Sequence, residues 1–228
     1  MRRFAAAIAV AAYAGLVGRP TFDGAERTQL CDLLEALGPD APTLLQPWTT
    51  HDLAAHLYLR ENDPLAGPGL VLPGAWGRLA EAHRQAALRR DYLDLVAAVR
   101  SGPRGIFQLG WMRRVPNLNE LFVHHEDVRR ANGGGPRKLE PGLHQALWAN
   151  ARGAAWYLTR RLPAVGLALR NSVTGETVRA HRGTPAVTIV GEPGELLLYL
   201  FGRVEAAEVE FDGPTSGIRI LQSTKIGL

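Results

Sequence analysis

From Asp23 onward, apolar residues recur at the three- and four-residue spacing of a helix face, Leu30, Leu33, Leu34 and Leu37, until Gly38-Pro39 stops the run. Asp23, with Glu26 three residues on, reads as the N-cap of this first helix. Thr49 and Asp52 form a second capping pair, which opens a helix within WTTHDLAAHLYLR, with Trp48 wedged at its entry. The Pro/Gly-rich stretch NDPLAGPGLVLPG then reads as a surface loop. Residues 75 to 100 are helical in pattern, with a weak point at Arg89 to Asp91 before Tyr92, Leu95, Val96 and Val99, and Gly102-Pro103 ends them. The segment GIFQLGWMRRVP is expected to be a mobile connection, and the next helix, NLNELFVHHEDVRR over Asn117 to Arg130, is closed by Asn132 and the three glycines behind it. Pro141 starts a long helix to about Arg161, striped by Leu143, Leu147, Ala151, Ala154 and Leu158. Beyond Pro163 the period shortens. VGLALRNS, ETVRAH and AVTIVGE predict short strands, followed by a helix over Pro193 to Phe201, a last strand AEVEFDG and a terminal helix.

This pattern needs a chain that can bury a sizeable core, and 228 residues of which 46% are apolar suffice for one large domain or two small ones. The net charge of +4 suggests nucleic acid only until its carriers are inspected. Lys138 and Lys225 are the only lysines, and the arginines mostly alternate with Asp or Glu, which describes a mixed solvated surface and argues against a nucleic-acid footprint. A single cysteine excludes an internal disulfide, and Cys31, beside Leu30 and Leu34, reads as a core thiol. Met1 to Gly18 imitates a secretory signal, with two arginines, an apolar run and Ala12-Tyr13-Ala14, but is too short and Ala-rich for a membrane span, so no stable membrane association is expected.

The chemistry concentrates in the helix from Asn117 to Arg130. Glu120 and His124, four residues apart, stand one turn above the other on one face, where a carboxylate oxygen and an imidazole nitrogen can grip one ion. A third ligand is needed, and His56, on the apolar face of its own helix, is the candidate. An E-x-x-x-H pair alone occurs by chance on many helices, and a lone His on an apolar face is more often a core residue. The combination carries the reading. Two imidazoles and one carboxylate leave positions open on a divalent ion, as in a working site, since structural zinc is usually closed by four protein ligands. Zinc suits this set best, and Ni²⁺, Co²⁺ or Fe²⁺ would also be accepted. His125 points elsewhere and is expected to be exposed or to lie behind a ligand. Asp127 could accept the second N–H of a metal-bound imidazole. His51, His83, His144 and His181 have no matching context and read as surface or core.

The Trp-Thr turn leading into DLAAHL, with the later E-x-x-x-H helix, resembles the mycothiol-dependent maleylpyruvate isomerase family within the DinB-like metal-binding bundles. The segment VTIVGEPGELLLYLFGR resembles the small domain that follows the bundle in those proteins. The resemblance implies an α+β fold: an up-down helical bundle over residues 23–162, then a small C-terminal α/β domain over 163–228, with 1–22 as an extension from an upstream start or, less favoured, an export signal. It implies metal ligands His56, Glu120 and His124, mycothiol as thiol cosubstrate activated by the metal, a small-molecule electrophile as partner, and a cytoplasmic setting. It also implies that Arg203, ending the L-x-G-R motif, faces the cleft and holds a substrate carboxylate; a surface Arg after a glycine is the competing reading. Transfer or isomerisation of a thiol adduct is the expected activity, and a non-catalytic metal- or thiol-sensing module is the alternative.

Overall fold

The computed structural model describes residues 21–63, 75–102, 109–162 and 165–227. Most of the 1–22 extension, the loop of residues 64–74, the stop at Pro103 and residues 103–108 of the expected connection lie outside the described residues.

Helix α1 (Phe22–Leu37) buries Leu30, Cys31 and Leu34, and Gly38 ends it with φ +78°, a conformation that glycine adopts without a side-chain clash. Asp23 does not cap it. The residue before the first turn is Thr21, which makes no side-chain cap, whereas Asp23 accepts a bond from Arg113 Nε at 3.0 Å. Glu26 turns inward as well, to His125 and Arg137. Both carboxylates are buried and find distant cations in place of local amides.

Helix α2 (Thr50–Asn62) begins with the expected reciprocal cap, in which Thr49 N donates to Asp52 Oδ2 at 3.0 Å and the Thr49 hydroxyl accepts from Asp52 N. Helix α3 (Ala75–Ala87) breaks where the sequence is weak, and α4 (Tyr92–Arg100) restarts on an Asp91 cap that accepts from the Leu93 and Asp94 amides. The segment expected as a connection is helical from Gly110 onward. A short turn, Gly110–Met112, runs through a wider π-type turn, Arg113–Asn117, straight into α5 (Leu118–Ala131). Pro116 sits inside that wide turn. Pro breaks the normal i→i−4 ladder but is tolerated where the ladder is already interrupted.

Pro141 opens α6 (Pro141–Leu158). The sheet that follows contains β1 (Gly166–Asn171), β2 (Thr177–His181), β3 (Ala186–Gly191) and β4 (Glu210–Asp212) in the order β2-β1-β3-β4. β1 pairs antiparallel with β2 and parallel with β3, while β3 pairs antiparallel with β4. Helix α7 (Pro193–Leu200) links β3 to β4, and α8 (Thr215–Ser223) follows. Leu167, Leu169, Val187 and Ile189 alternate inward on the two central strands. No helix among the described residues is long and apolar enough to cross a membrane.

The molecule is thus α+β, with two apolar clusters meeting at α5. Leu121 and Val128 of α5 pack with α1, α2 and α4. Its Leu118, Phe122 and Val123 pack with α6, α7, α8 and the sheet. Every residue from Leu121 to Val128 is buried, so the polar ones among them must find partners inside the protein.

Candidate metal centre

Helix α5 supplies Glu120 and His124 from successive turns of one face, and the capped helix α2 brings His56 opposite them. His56 Nε2 lies 3.0 Å from Glu120 Oε1, and His124 Nε2 lies 3.2 Å from the same oxygen. One ligand atom from each residue lies within 4.8 Å of the others. Metal–ligand bonds of about 2.1 Å in tetrahedral arrangement place ligand atoms about 3.4 Å apart, so the two shorter edges already approach the spacing of a coordinated ion.

The electrostatics suit a cation. Burial alone would raise the Glu120 pKa, but hydrogen bonds from His124 and His56 and the charges of His124 and Arg60 overcome it and hold the carboxyl well below its ordinary range. Burial lowers the His56 pKa and keeps its imidazole neutral, the form that ligates. Burial also opposes the charged form of His124, yet hydrogen bonds to Asp127 and Glu120 outweigh it and raise its pKa.

Behind His124 stands a chain of polar contacts. His124 Nδ1 donates to Asp127 Oδ2 at 2.8 Å, and Asp127, fully buried, accepts Arg203 Nε at 2.9 Å and Nη2 at 2.6 Å. Asp127 thus stands where an orienting carboxylate is needed. Its own burial would raise its pKa, and the bonds from Arg203 and His124 lower it instead. Arg203 Nη1 donates to the Phe201 carbonyl at 2.7 Å. The guanidinium expected to hold a substrate carboxylate therefore spends its Nε/Nη2 edge on Asp127, and its other fork is partly taken by the backbone. His56 lacks such a chain: Nδ1 is buried without a partner among the described residues, and the ring leans on Trp48, with centroids 5.3 Å apart.

His125 departs from both expectations for it. It is buried and points away from the centre, its Nδ1 2.8 Å from Glu26 Oε2, because α5 is enclosed on that side too. His83 pairs with Asp63 and His181 with Thr159, whereas His51 and His144 each carry a buried Nε2 with no partner among the described residues. The Cys31 thiol is fully buried and pushed up to about 11, an inert core group as expected. Sequence reading missed Arg60 and Asn117. Arg60 follows His56 by one helical turn and Asn117 precedes Glu120 by one, so the spacing that picked out His56, Glu120 and His124 could have picked them too.

No family profile matches the sequence, and no curated protein resembles it closely enough to count as a match. Solved structures do match. A mycothiol-dependent maleylpyruvate isomerase superposes with a TM-score of 0.51 at 17% identity, over 86% of this chain and 91% of the other. A histidine-to-alanine mutant described by the same name gives a TM-score of 0.53 at 14% identity, with the same coverage. The chain has the fold of a mycothiol-dependent maleylpyruvate isomerase. At such identities the likeness establishes the architecture, a DinB-like bundle with a small α/β unit behind it, and leaves the chemistry to be argued from the side chains.

Proposed function

We propose that this protein is a cytoplasmic mycothiol-dependent metalloenzyme, a thiol transferase or isomerase, that holds one divalent ion through His56, Glu120 and His124. The observation that carries this reading is the convergence of two imidazole nitrogens on one carboxylate oxygen at 3.0 and 3.2 Å, with Asp127 backing one imidazole. The residues fit the ion: neutral His56, ionised Glu120 and an oriented His124 make a nitrogen- and oxygen-rich set that suits zinc and leaves room for further ligands. When bound, such an ion supplies Lewis acidity that brings a thiol's pKa down toward neutrality.

The chain's own groups do the rest. Glu120 stays a carboxylate and offsets part of the ion's charge. Asp127 fixes the His124 tautomer so that Nε2 faces the centre, and Arg203 holds Asp127 in turn. Arg203 also lines a cleft of about 610 Å³ with Phe201, Gln222 and Lys225. Metal analysis of protein purified without a polyhistidine tag should find close to one equivalent of divalent ion, and His56→Ala, Glu120→Ala and His124→Ala should each lose most of it. The circular dichroism of the three variants should stay close to wild type, since the two apolar clusters need no metal clip. Full retention of metal in all three would end the assignment. Turnover of mycothiol with an electrophile separates an enzyme from a sensing module.

A further inference from the structure

The two imidazoles of the proposed centre are held in different ways. His124 is fixed by a directional bond, from Nδ1 to Asp127 Oδ2 at 2.8 Å, and Arg203 grips Asp127 in turn. His56 has no such support. Its Nε2 is the nitrogen that meets Glu120, and its Nδ1 is buried with no hydrogen-bond partner among the described residues. Two rings lie against it instead: the Trp48 indole, with centroids 5.3 Å apart and planes inclined by 51°, and the His124 imidazole, 5.2 Å away at 71°.

Trp48 is itself anchored before α2 begins. Its amide N–H donates to the Leu45 carbonyl at 2.8 Å, and its own carbonyl accepts the Thr43 hydroxyl at 2.9 Å. The next residue, Thr49, caps the helix that carries His56. On α3, the Arg84 guanidinium stands 5.9 Å from the centre of the indole and also binds Asp52, the other half of that cap. The indole is therefore tied to the same cap that fixes the start of α2, about two turns before His56.

We propose that Trp48 is the positioning residue for His56, doing with an aromatic ring what Asp127 does for His124 with a carboxylate. This inference rests on the metal reading above. The side-chain torsion that aims an imidazole has broad preferences, so a ring without a hydrogen bond at Nδ1 is aimed by what packs against it. The centre then has one arm held by direction and one held by shape. An aromatic pair contributes roughly a 2- to 12-fold factor in an equilibrium constant beyond the area it buries. A carboxylate behind a ligating histidine contributes about 10- to 100-fold. His56 is therefore the arm that yields first when the site is disturbed.

The test compares wild type with Trp48→Leu and Trp48→Phe by two measurements that need no turnover. Zinc affinity is read by competition with a chromogenic chelator. The ring nitrogens of His56 and His124 are read in long-range proton–nitrogen NMR spectra of the zinc-loaded protein, with the His56 signals assigned from their loss in His56→Ala. Trp48→Leu keeps an apolar side chain but loses the ring, and should weaken zinc by more than about threefold. Its His56 nitrogen signals should move while those of His124 stay. Trp48→Phe, which restores a ring, should lie between Trp48→Leu and wild type on both measures. Zinc affinity within threefold of wild type in Trp48→Leu would overturn the proposal. So would a weakened affinity in which the His124 signals move as well, or neither set moves, because Trp48 would then support the fold and not His56. Should Trp48→Leu fail to fold by circular dichroism, the spectrum of Trp48→Phe decides by the same criterion: His56 signals that move alone support the proposal, and any other pattern ends it. A wild-type protein that takes up no zinc would instead refute the metal reading itself, and this inference with it.

Discussion

Replacing Asp127 by Asn tests the contact on which both the fold and the centre depend. The wild-type carboxylate is fully buried and accepts three bonds, at 2.9 and 2.6 Å from Arg203 and 2.8 Å from His124. An amide of the same shape has one accepting oxygen and one donating nitrogen. If the oxygen faces Arg203, the amide N–H meets His124 Nδ1, which must then become the acceptor. The imidazole proton moves to Nε2, the atom that should ligate. If the oxygen faces His124, an N–H group meets the guanidinium and a partly buried charge loses its counter-ion. Breaking a buried pair costs about 3–5 kcal/mol. Arg203 is 14% exposed and retains its Phe201 carbonyl, which reduces the expectation to about 2–3 kcal/mol. For a chain of this size that is a fall in Tm of roughly 4–12 °C. Metal affinity should drop about 10- to 100-fold, the usual effect of losing the carboxylate behind a ligating histidine. Urea unfolding of the metal-free protein and zinc competition with a chelator measure the two effects separately. Arg203→Gln should reproduce the loss of stability with a smaller effect on metal. A destabilisation below about 1 kcal/mol together with a change in zinc affinity under threefold would refute the reasoning.

Glu26→Gln should cost about 2 kcal/mol at neutral pH, where Glu26 accepts His125 and Arg137, and the gap from wild type in urea unfolding should narrow in acid. Burial raises this carboxyl's pKa, but those two partners lower it overall from the ordinary 4.5, so its contribution is present above that value and lost as the pH falls through the folded-state pKa; a gap that widens in acid would contradict this. Gly166→Ala should destabilise by about 2 kcal/mol, since its Cβ would lie 2.5 Å from the Gly183 carbonyl oxygen, a backbone atom of the adjoining turn, and an unchanged Tm would show that the turn gives way.

What the sequence made legible was what neighbouring residues decide. The Thr49/Asp52 cap, the leucine stripe of α1, the break at Arg89 to Asp91 and the alternation of β1 and β3 depend on residues a few positions apart. The triad could be picked out because two of its members share a turn and the third lies in a segment with a recognisable context. Asp23 and Glu26 carried the local signature of a cap, but Arg113 is 90 positions from Asp23 and Arg137 is 111 from Glu26, and charge pairing in a buried setting overrode the local preference. The segment ending at Pro116 read as a connection because a wide turn that admits a proline has no signal of its own. Arg60 was passed over because an arginine at a helix end looks like a solvated charge until Asn117 and Glu120 are placed against it.

The adjacent histidines of α5 bring the long-range pairs to bear on the centre. His124 and His125 differ by about 100° around the helix axis, so the angle at which α5 is held decides which imidazole faces the centre and which belongs to Glu26. Apolar packing sets that angle less sharply than directional contacts do, because cores accept altered packing before they lose stability. Charged pairs are directional. Asp127 is gripped at two atoms by Arg203, and Arg130 meets Glu195 of α7 through two nitrogens at 3.0 and 2.5 Å. Glu126, buried between Arg129, Arg130 and Arg137, ties the same turn to the segment before α6 through Arg137. Exchanging these ions for apolar residues of equal volume could leave the protein as stable as before, since buried pairs often return no more than they cost to desolvate. The rotation of α5 would then rest on shape alone, and with it the choice of which imidazole faces His56. On this argument the C-terminal unit acts on the centre from a distance, by fixing the angle at which α5 presents Glu120 and His124.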